Sequence, residues 1–373
     1  MTDAPHALTV AAGFVLILLV IGDATSTLIR TGGRTGRWRP TYLWYASTWR
    51  VLRATAARLP ARASDFALNI YPSSSVLGLL VLWLTALTMG WALVFWGLGE
   101  RPGGTDSWGM LIYYAGTSLL TPAFGAAHGS AVQLLSLVET LTGLGTIALV
   151  ISYLPALYGA YNKREARLLT LDDPLGGRLT PSRVIAVHAG QRSLDLFYRF
   201  CADWEMWTAD VLESHVSYPM LALFRSQHPG QSWITALGVV TDAATLATAC
   251  IVGADLREPY FLHRRGMRAV VDIAERLNIP QPRQPETWLN LAALEVAWAE
   301  LVDLGLPLRD KGEAWERLQA LRAPYGYRLQ QLIDFLLAPH GFWGDSAEAT
   351  VAEEVERAAA DARLRARTRG AAS

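Results

Sequence analysis

One short stretch between two long apolar runs constrains the fold of this chain more than any other feature. Residues 113–124 lie between apolar runs at residues 76–96 and 132–160. The stretch is too short to cross a bilayer, which takes roughly 20 residues, and too apolar for an ordinary exposed loop. Irregular backbone is tolerated at membrane depth only where protein buries it or where it lines a water-filled path. The sequence therefore predicts a segment that enters the membrane, turns and leaves on the same side.

Three apolar segments surround this stretch and are expected to span the membrane as helices. They cover residues 1–29, 73–96 and 132–160. The first segment could instead be a secretory signal peptide, but the basic region that such a peptide needs is missing, because the only early charge is Asp3. Asp23 lies near the end of the same segment, and it either sits at the headgroup level or faces protein or water.

The segment between the first two spans, residues 30–72, is strongly basic. It holds eight arginines and one acid, Asp65, which indicates a cytoplasmic location. Aromatic residues lie among these arginines, and this combination is typical of a helix lying at a membrane surface. Nucleic acid would also suit a basic and aromatic pattern, but beside a membrane span we favour lipid. The topology predicted from the basic flanks is a multi-pass cell-membrane protein with its N-terminus outside and its C-terminal half in the cytoplasm.

The C-terminal half, residues 182–373, is predicted to be an all-helical cytoplasmic domain. Apolar residues recur at helical spacing, and no alternating strand pattern is present. Three predicted apolar faces comprise Leu194, Phe197, Cys201, Trp204 and Val211; Trp288, Leu291, Glu295, Trp298 and Val302; and Leu318, Leu321, Leu329, Leu332 and Leu336. The expected fold is thus an all-α integral membrane protein with three transmembrane helices, a re-entrant pore helix and loop, and this helical domain.

Composition and motifs argue against several function classes. Lys plus Arg and Asp plus Glu both number 33, so net charge gives no argument for a nucleic-acid partner. The two cysteines and the seven histidines show no metal-ligand spacing. We find no phosphate-binding glycine loop and no nucleophile elbow. The sequence therefore predicts no catalytic residues, no metal, no cofactor and no enzyme activity.

The order of elements in residues 73–165 resembles the pore module of the potassium-channel superfamily, particularly bacterial two-span pore proteins. Potassium filters read T-V-G-Y-G, and this chain has Thr121, Pro122, Ala123, Phe124 and Gly125. Thr117 and Ser118 resemble the hydroxyl-rich end of a pore helix. The inner span resembles an inner pore helix, with its early Glu139 and its glycine Gly143. The resemblance implies a homotetramer that conducts monovalent cations within membrane lipids and is modulated by the helical domain.

Two residues of the filter motif depart from the potassium-channel pattern. A potassium filter replaces the ion's water shell with backbone carbonyls. Ala123 stands where a glycine would adopt left-handed angles without strain, and Pro122 lacks the N–H that such filters use. A weakly selective cation path is therefore expected. The alternative is a membrane-anchored sensor or scaffold whose pore-like module does not conduct.

Glu139, Thr142 and Thr146 are spaced by three and four residues and so share one helix face. Glu139 either faces the ion pathway or supports the filter from behind, and an intramembrane acid is by default a functional candidate. Gly143 either acts as a hinge or allows close helix packing. The predicted domains are the N-terminal helix at 1–29, the basic segment at 30–72, the pore module at 73–165 and the helical domain at 182–373.

Overall fold

The computed structural model describes residues 3–28, 38–100, 107–121, 130–175, 180–189, 193–226, 232–280, 291–338 and Trp343. These residues are mostly helical, and no strand occurs among them beyond an isolated antiparallel bridge between Ile251 and Leu308. The all-helical prediction is therefore confirmed for this part of the chain. The chain forms two compact units, residues 1–159 and 160–373.

Among the described residues, five helices begin in the first unit, and the remainder lie in the second. Those of the first unit are α1 Asp3–Leu28, α2 Pro40–Ala56, α3 Ala61–Gly97, α4 Trp108–Ser118 and α5 Ser130–Leu175, which continues into the second unit. Those of the second unit are α6 Pro181–His188, α7 Asp195–Ser217, a 3-10 helix Pro219–Leu223, α8 Trp233–Cys250, α9 Arg257–Arg276, α10 Leu291–Asp303, α11 Lys311–Arg322 and α12 Gly326–Leu336.

The helices α1, α3 and α5 of the first unit are long and apolar enough to cross a membrane. Their outer faces expose large apolar side chains, including Leu18, Val81 and Leu141, the last of which is 76% exposed. Many exposed large apolar side chains along long helices are typical of contact with a membrane or a partner protein. Three of the four candidate spans found among the described residues are therefore the three spans that the sequence predicts.

The first helix packs closely along α3. A Cβ atom added to Gly13 would lie 2.6 Å from the carbonyl oxygen of Gly90, and one added to Gly90 would lie 2.8 Å from Ile17 Cγ1. Small residues at such crossings let two backbones approach, which is how helices associate where lipid offers no hydrophobic driving force. The first candidate span is thus packed against the second within the same chain.

Two helix boundaries differ from those expected. The second apolar helix begins at Ala61, inside the predicted basic segment, and Pro72 lies within it rather than at its start. Good helix formers such as alanine precede Pro72, and they continue the helix despite the hydrogen bond that the proline removes. The third helix runs without a break to Leu175, beyond residue 160, where the third span was expected to end. The two units divide at residue 159, within α5, whereas the predicted pore module ends at residue 165.

The second unit is built around α8, which the sequence analysis did not single out. All its residues are buried, although it is the fourth described helix that is long and apolar enough to cross a membrane. A helix that is apolar all round is either a core helix or a membrane span. Because helices of its own unit enclose α8 completely, the packing identifies it as the core helix of this unit.

A buried polar cluster lies at the centre of α8. Asp242 is fully buried and accepts hydrogen bonds from Arg322 Nε at 3.1 Å, from the Tyr325 hydroxyl, and from Trp343 Nε1 at 2.7 Å. Three donors converge on one carboxylate, and buried charges are stable only when they are paired in this way. The cluster joins α8, α11 and α12 in the core.

The three predicted apolar faces of the second unit agree with the observed burial to different degrees. On α7, Phe197, Cys201 and Trp204 are buried, as expected. On α10 the expected face is wrong at Glu295 and Val302, which are exposed, while Trp288 lies outside the described residues. The buried residues of this helix are Leu294, Ala297 and Leu301. Both sets have helical spacing, and the alanine-containing face packs on α6. The third face is divided between α11 and α12 by a turn at residues 323–325, while Leu318, Leu329, Leu332 and Leu336 are buried.

Candidate pore site

The short helix α4 has 11 residues, Trp108–Ser118, close to the pore helix expected from the sequence. Its first turn is capped by Ser107, whose side chain accepts a hydrogen bond from the Met110 N–H. Serine at this position satisfies one of the free N–H groups at a helix start. A cap and a length below that of a span together define α4 as a separate short helix between two long ones.

Aromatic contacts hold α4 against α3. The rings of Phe95 and Tyr114 meet edge to face with centroids 5.5 Å apart, and those of Trp96 and Trp108 do so at 5.4 Å. Such pairs contribute about 0.5–1.5 kcal/mol beyond their buried area. One face of α4 is therefore fixed to the outer helix near the end of α3.

Hydrogen bonds and a glycine contact hold α4 against α5. The hydroxyls of Tyr114 and Ser136 lie 3.1 Å apart, and Thr140 Oγ1 donates to the Ser118 carbonyl oxygen at 2.6 Å. At Gly143, an added Cβ would overlap the carbonyl oxygen of Leu119, whereas Gly145 has nothing within 4 Å. Gly143 is thus a packing position for the C-terminal end of α4, which favours close packing over the hinge interpretation.

Glu139 lies on the protein-facing side of α5 and is fully buried. Among the described residues, neither of its carboxylate oxygens has a hydrogen-bond partner, and the buried Ser118 hydroxyl has none either. Buried polar groups without partners are rare in native structures and call for an explanation. Two such groups therefore occur on the pair of helices that forms this site.

The hydroxyls of the other predicted site residues bond mainly to nearby groups. Thr142 Oγ1 donates to the Glu139 carbonyl oxygen at 2.7 Å and accepts from Trp91 Nε1 at 3.1 Å. Thr146 Oγ1 donates to the Thr142 carbonyl oxygen at 2.7 Å. The shared face of Glu139, Thr142 and Thr146 is therefore directed toward the unit's own helices.

Only the first residue of the predicted filter lies within the described residues. Thr121 is exposed, and its hydroxyl donates to the Thr117 carbonyl oxygen at 3.3 Å. The Thr117 hydroxyl bonds to carbonyls of its own helix, at 3.0 Å for Tyr113. Pro122, Ala123, Phe124 and Gly125 lie outside the described residues, so their predicted role as a filter stays a prediction.

Asp23 is held in a second polar site, away from α4. Its carboxylate accepts from the Thr41 N–H at 3.0 Å and from the Thr41 hydroxyl, from Arg39 Nε at 3.0 Å, and from Trp83 Nε1 at 3.1 Å. The contact with the Thr41 N–H caps the start of α2 from a different helix, because α2 has no side-chain cap of its own. Asp23 is 4% exposed and faces protein, as one of the two interpretations expects.

Sequence analysis missed Ser136 and Thr140, which carry two of the contacts between α4 and α5. They are four residues apart and so lie on one face of the helix. Their spacing was visible, but nothing in the sequence distinguished them from other hydroxyl residues. Their role depends on the position of α4, which only the packing defines.

No protein-family model matches the chain, and no solved structure matches it. The apolar helices with exposed outer faces already define the class as a multi-pass, all-helical membrane protein. In agreement with this, the chain is 25% identical over 178 residues to YdjJ of Bacillus subtilis (strain 168), described as an uncharacterised membrane protein. The matched region is 45% of this chain and 50% of YdjJ, so the chain spans about half the length of the curated relative it matches.

Proposed function

We propose that the protein is a homotetrameric cation channel, similar to potassium channels but weakly selective, and modulated by its helical second unit. Each chain supplies one pore loop, with Thr121, Pro122, Ala123, Phe124 and Gly125 as the filter. Four loops around a common axis are needed to enclose a path, and closed rings are the usual product of head-to-tail interfaces. The arginine-rich segment supports a cytoplasmic second unit and an external N-terminus.

The observation that carries this proposal is the attachment of α4 to both of its neighbours. A short helix without a structural role would not need aromatic contacts on one side and hydrogen bonds on the other. Here Thr140 bonds to the last residue of α4, Ser118, and Gly143 admits the next residue, Leu119. This arrangement fixes the point at which the chain leaves α4 and enters the filter motif.

Glu139 supports the filter from behind in this proposal and does not line the ion path. A residue that lines a tetrameric path is exposed in a single chain, because its neighbours across the axis belong to other chains. Glu139 is fully buried within its own chain, whereas Leu137 and Leu141 beside it are exposed. Its free carboxylate oxygens are therefore acceptors available to protein groups around the filter.

Weak selectivity follows from the composition of the filter. An alanine in a left-handed conformation costs roughly 1–2 kcal/mol, and four chains would multiply that cost. Pro122 also removes one N–H per chain. A wider path in which the ion keeps part of its water shell avoids both penalties. Ala123 and Pro122 also support the second candidate, a membrane-anchored sensor or scaffold whose pore-like module is closed.

Ion flux into liposomes that contain the purified full-length protein tests the proposal. We expect similar flux for potassium and sodium and little for a large organic cation. Glu139→Gln should lower the flux roughly tenfold, corresponding to the loss of about 1.4 kcal/mol from one charge-assisted hydrogen bond. Ala123→Gly should increase the preference for potassium.

Asp65→Asn is the matched control, because Asp65 is an exposed acid on α3 outside the pore module. Its flux should equal that of the unmodified protein. Two results would reject the channel proposal in favour of the sensor or scaffold. One is a folded protein that conducts no cation at any voltage, and the other is a protein that is a monomer in detergent.

A further inference from the structure

The continuous helix α5 ends within the second unit, and one of its faces is buried there. Tyr161, Arg164, Leu168 and Leu171 lie three or four residues apart and are all at most 5% exposed. Three of these side chains are apolar or aromatic, as a helix face in a core requires. The fourth, Arg164, is a charged residue that is 2% exposed, and burying a charge is costly unless it is fully paired.

The guanidinium of Arg164 is paired on every side. Its Nη2 donates to the Phe224 carbonyl oxygen at 2.7 Å, and its Nη1 donates to the Leu221 carbonyl oxygen at 3.2 Å. Its Nε donates to Glu165 Oε1 at 2.8 Å. Only a planar fork with several donors can serve two separate carbonyls and a carboxylate together. The 3-10 helix that follows α7 is therefore bound to α5 through this one side chain.

His215 on α7 completes the set of acceptors. Its Nδ1 lies 2.7 Å from the Val211 carbonyl oxygen and so carries the proton, which leaves Nε2 to accept from Arg164 Nη1 at 3.3 Å. Burial, together with the charge of Arg164, lowers the pKa of His215 to about 3. The imidazole is therefore neutral at physiological pH, and it remains an acceptor for the guanidinium.

Two aromatic rings enclose the same guanidinium. The Arg164 Cζ atom lies 5.2 Å from the ring centroid of Tyr161 and 5.2 Å from that of Trp233 at the start of α8. Desolvated cation–π contacts of this kind can each contribute about 2 kcal/mol. Trp207 Nε1 on α7 also donates to the Arg164 carbonyl oxygen at 3.2 Å. Contacts from α7, the 3-10 helix and α8 thus converge on one residue of α5.

We infer that Arg164 latches the C-terminal part of α5 into the second unit, so that rearrangement of that unit moves the inner helix of the pore. The helix runs without interruption from Ser130 to Leu175, and its hydrogen-bonded backbone transmits motion along its axis. Two distant sites are coupled when both of them shift the position of one shared structural element. Here that element is α5. This inference rests on the proposed channel function and assigns the regulatory contact to Arg164.

The test uses a nitroxide spin label on a cysteine at position 151 of the full-length protein in liposomes. Ile151 is 63% exposed on α5 in the first unit, and the native Cys201 and Cys250 are fully buried. Arg164→Gln removes the charge, and Arg164→Lys retains it but cannot serve all the acceptors. We expect both variants to give a more mobile spectrum at position 151 and to change the flux about fivefold or more, as typical coupling energies imply.

Lys163→Gln is the matched control. Lys163 precedes Arg164 and forms an ion pair with Asp210 of α7 at 2.8 Å, but its side chain is 68% exposed. Its spectrum and its flux should match those of the unmodified protein. Thermal unfolding shows whether Arg164→Gln still folds. If that variant unfolds the second unit, the spectrum and the flux are compared in Arg164→Lys instead.

The outcomes separate the latch from the channel. If folded Arg164 variants give unchanged spectra at position 151, the proposed latch role of Arg164 is wrong. It is also wrong if the protein conducts and the variants change the spectra but leave the flux unchanged. Changed spectra in a protein that never conducts would support the latch and reject the channel.

Discussion

Asp23 and Glu139 are both carboxylates buried among the apolar helices of the first unit, but their surroundings are opposite. Asp23 accepts four hydrogen bonds from Arg39, Thr41 and Trp83. Glu139 is more deeply buried, and among the described residues its carboxylate accepts none. Both residues look alike in the sequence, as single acids within apolar segments.

The difference shows that burial alone does not reveal whether an acid joins helices through hydrogen bonds. A carboxylate surrounded by donors has used its hydrogen-bonding capacity to join helices, and removing it leaves those donors unpaired. A carboxylate without donors contributes nothing of that kind to folding. A hydrogen-bond donor for Glu139 would therefore have to come from outside the described residues.

The largest expected effect is on stability at Asp23. Asp23→Asn should lower the free energy of unfolding by about 3 kcal/mol, because removing one partner of a buried pair leaves the other uncompensated. Glu139→Gln is the matched variant and should change it by at most about 1.4 kcal/mol, because it can weaken only the one hydrogen bond that the proposal gives to Glu139. Both are measured by tryptophan fluorescence during SDS titration in detergent micelles. Equal losses in the two variants would remove the distinction between the sites.

A second variant addresses the packing beside Glu139. Gly143→Ala places a methyl group against the Leu119 backbone and should cost about 1–3 kcal/mol, as overpacking does. It should also lower cation flux by displacing the end of α4. Gly145→Ala is the control, because nothing lies within 4 Å of its added Cβ. Flux and SDS titration measure both effects, and a greater loss at Gly145 would support a hinge there.

The smallest expected effect sharpens the description of the Asp23 site. Thr41→Val removes one of the four donors and keeps the backbone N–H, so it should cost about 0.6 kcal/mol, the average for such bonds in membranes. Thr25→Val is the control, because the Thr25 hydroxyl donates only to carbonyls of its own helix. The same titration compares the two, and no difference between them would show that the Thr41 hydroxyl adds nothing beyond its N–H.

Local patterns in the sequence were sufficient to predict the two long apolar helices α3 and α5 and the short helix α4 between them. The end of a short helix was expected at Thr117 and Ser118, and α4 does end at Ser118. The buried face of α7 was also predictable, since large aromatic residues recur along it. Such features depend on residues that are close together in the chain.

Features that depend on distant partners could not be predicted in the same way. The donors to Asp23 come from α2 and α3, and Trp83 is 60 positions away. On α10 two faces have helical spacing, and only the contact with α6 selects the one that contains Ala297. The identity of Thr140 as a contact to α4 required the position of both helices. Each of these depends on tertiary packing, which a local pattern does not encode.

The buried Asp242 of α8 has a consequence for biosynthesis. As it leaves the ribosome, α8 is an 18-residue segment whose hydropathy is high enough for a membrane span. An aspartate at the centre of such a segment raises the free energy of insertion by the translocon by about 2.5–3.5 kcal/mol. The carboxylate that binds Arg322 in the folded unit therefore also disfavours a fourth crossing, which would put the residues after α8 on the opposite side of the membrane from those before it.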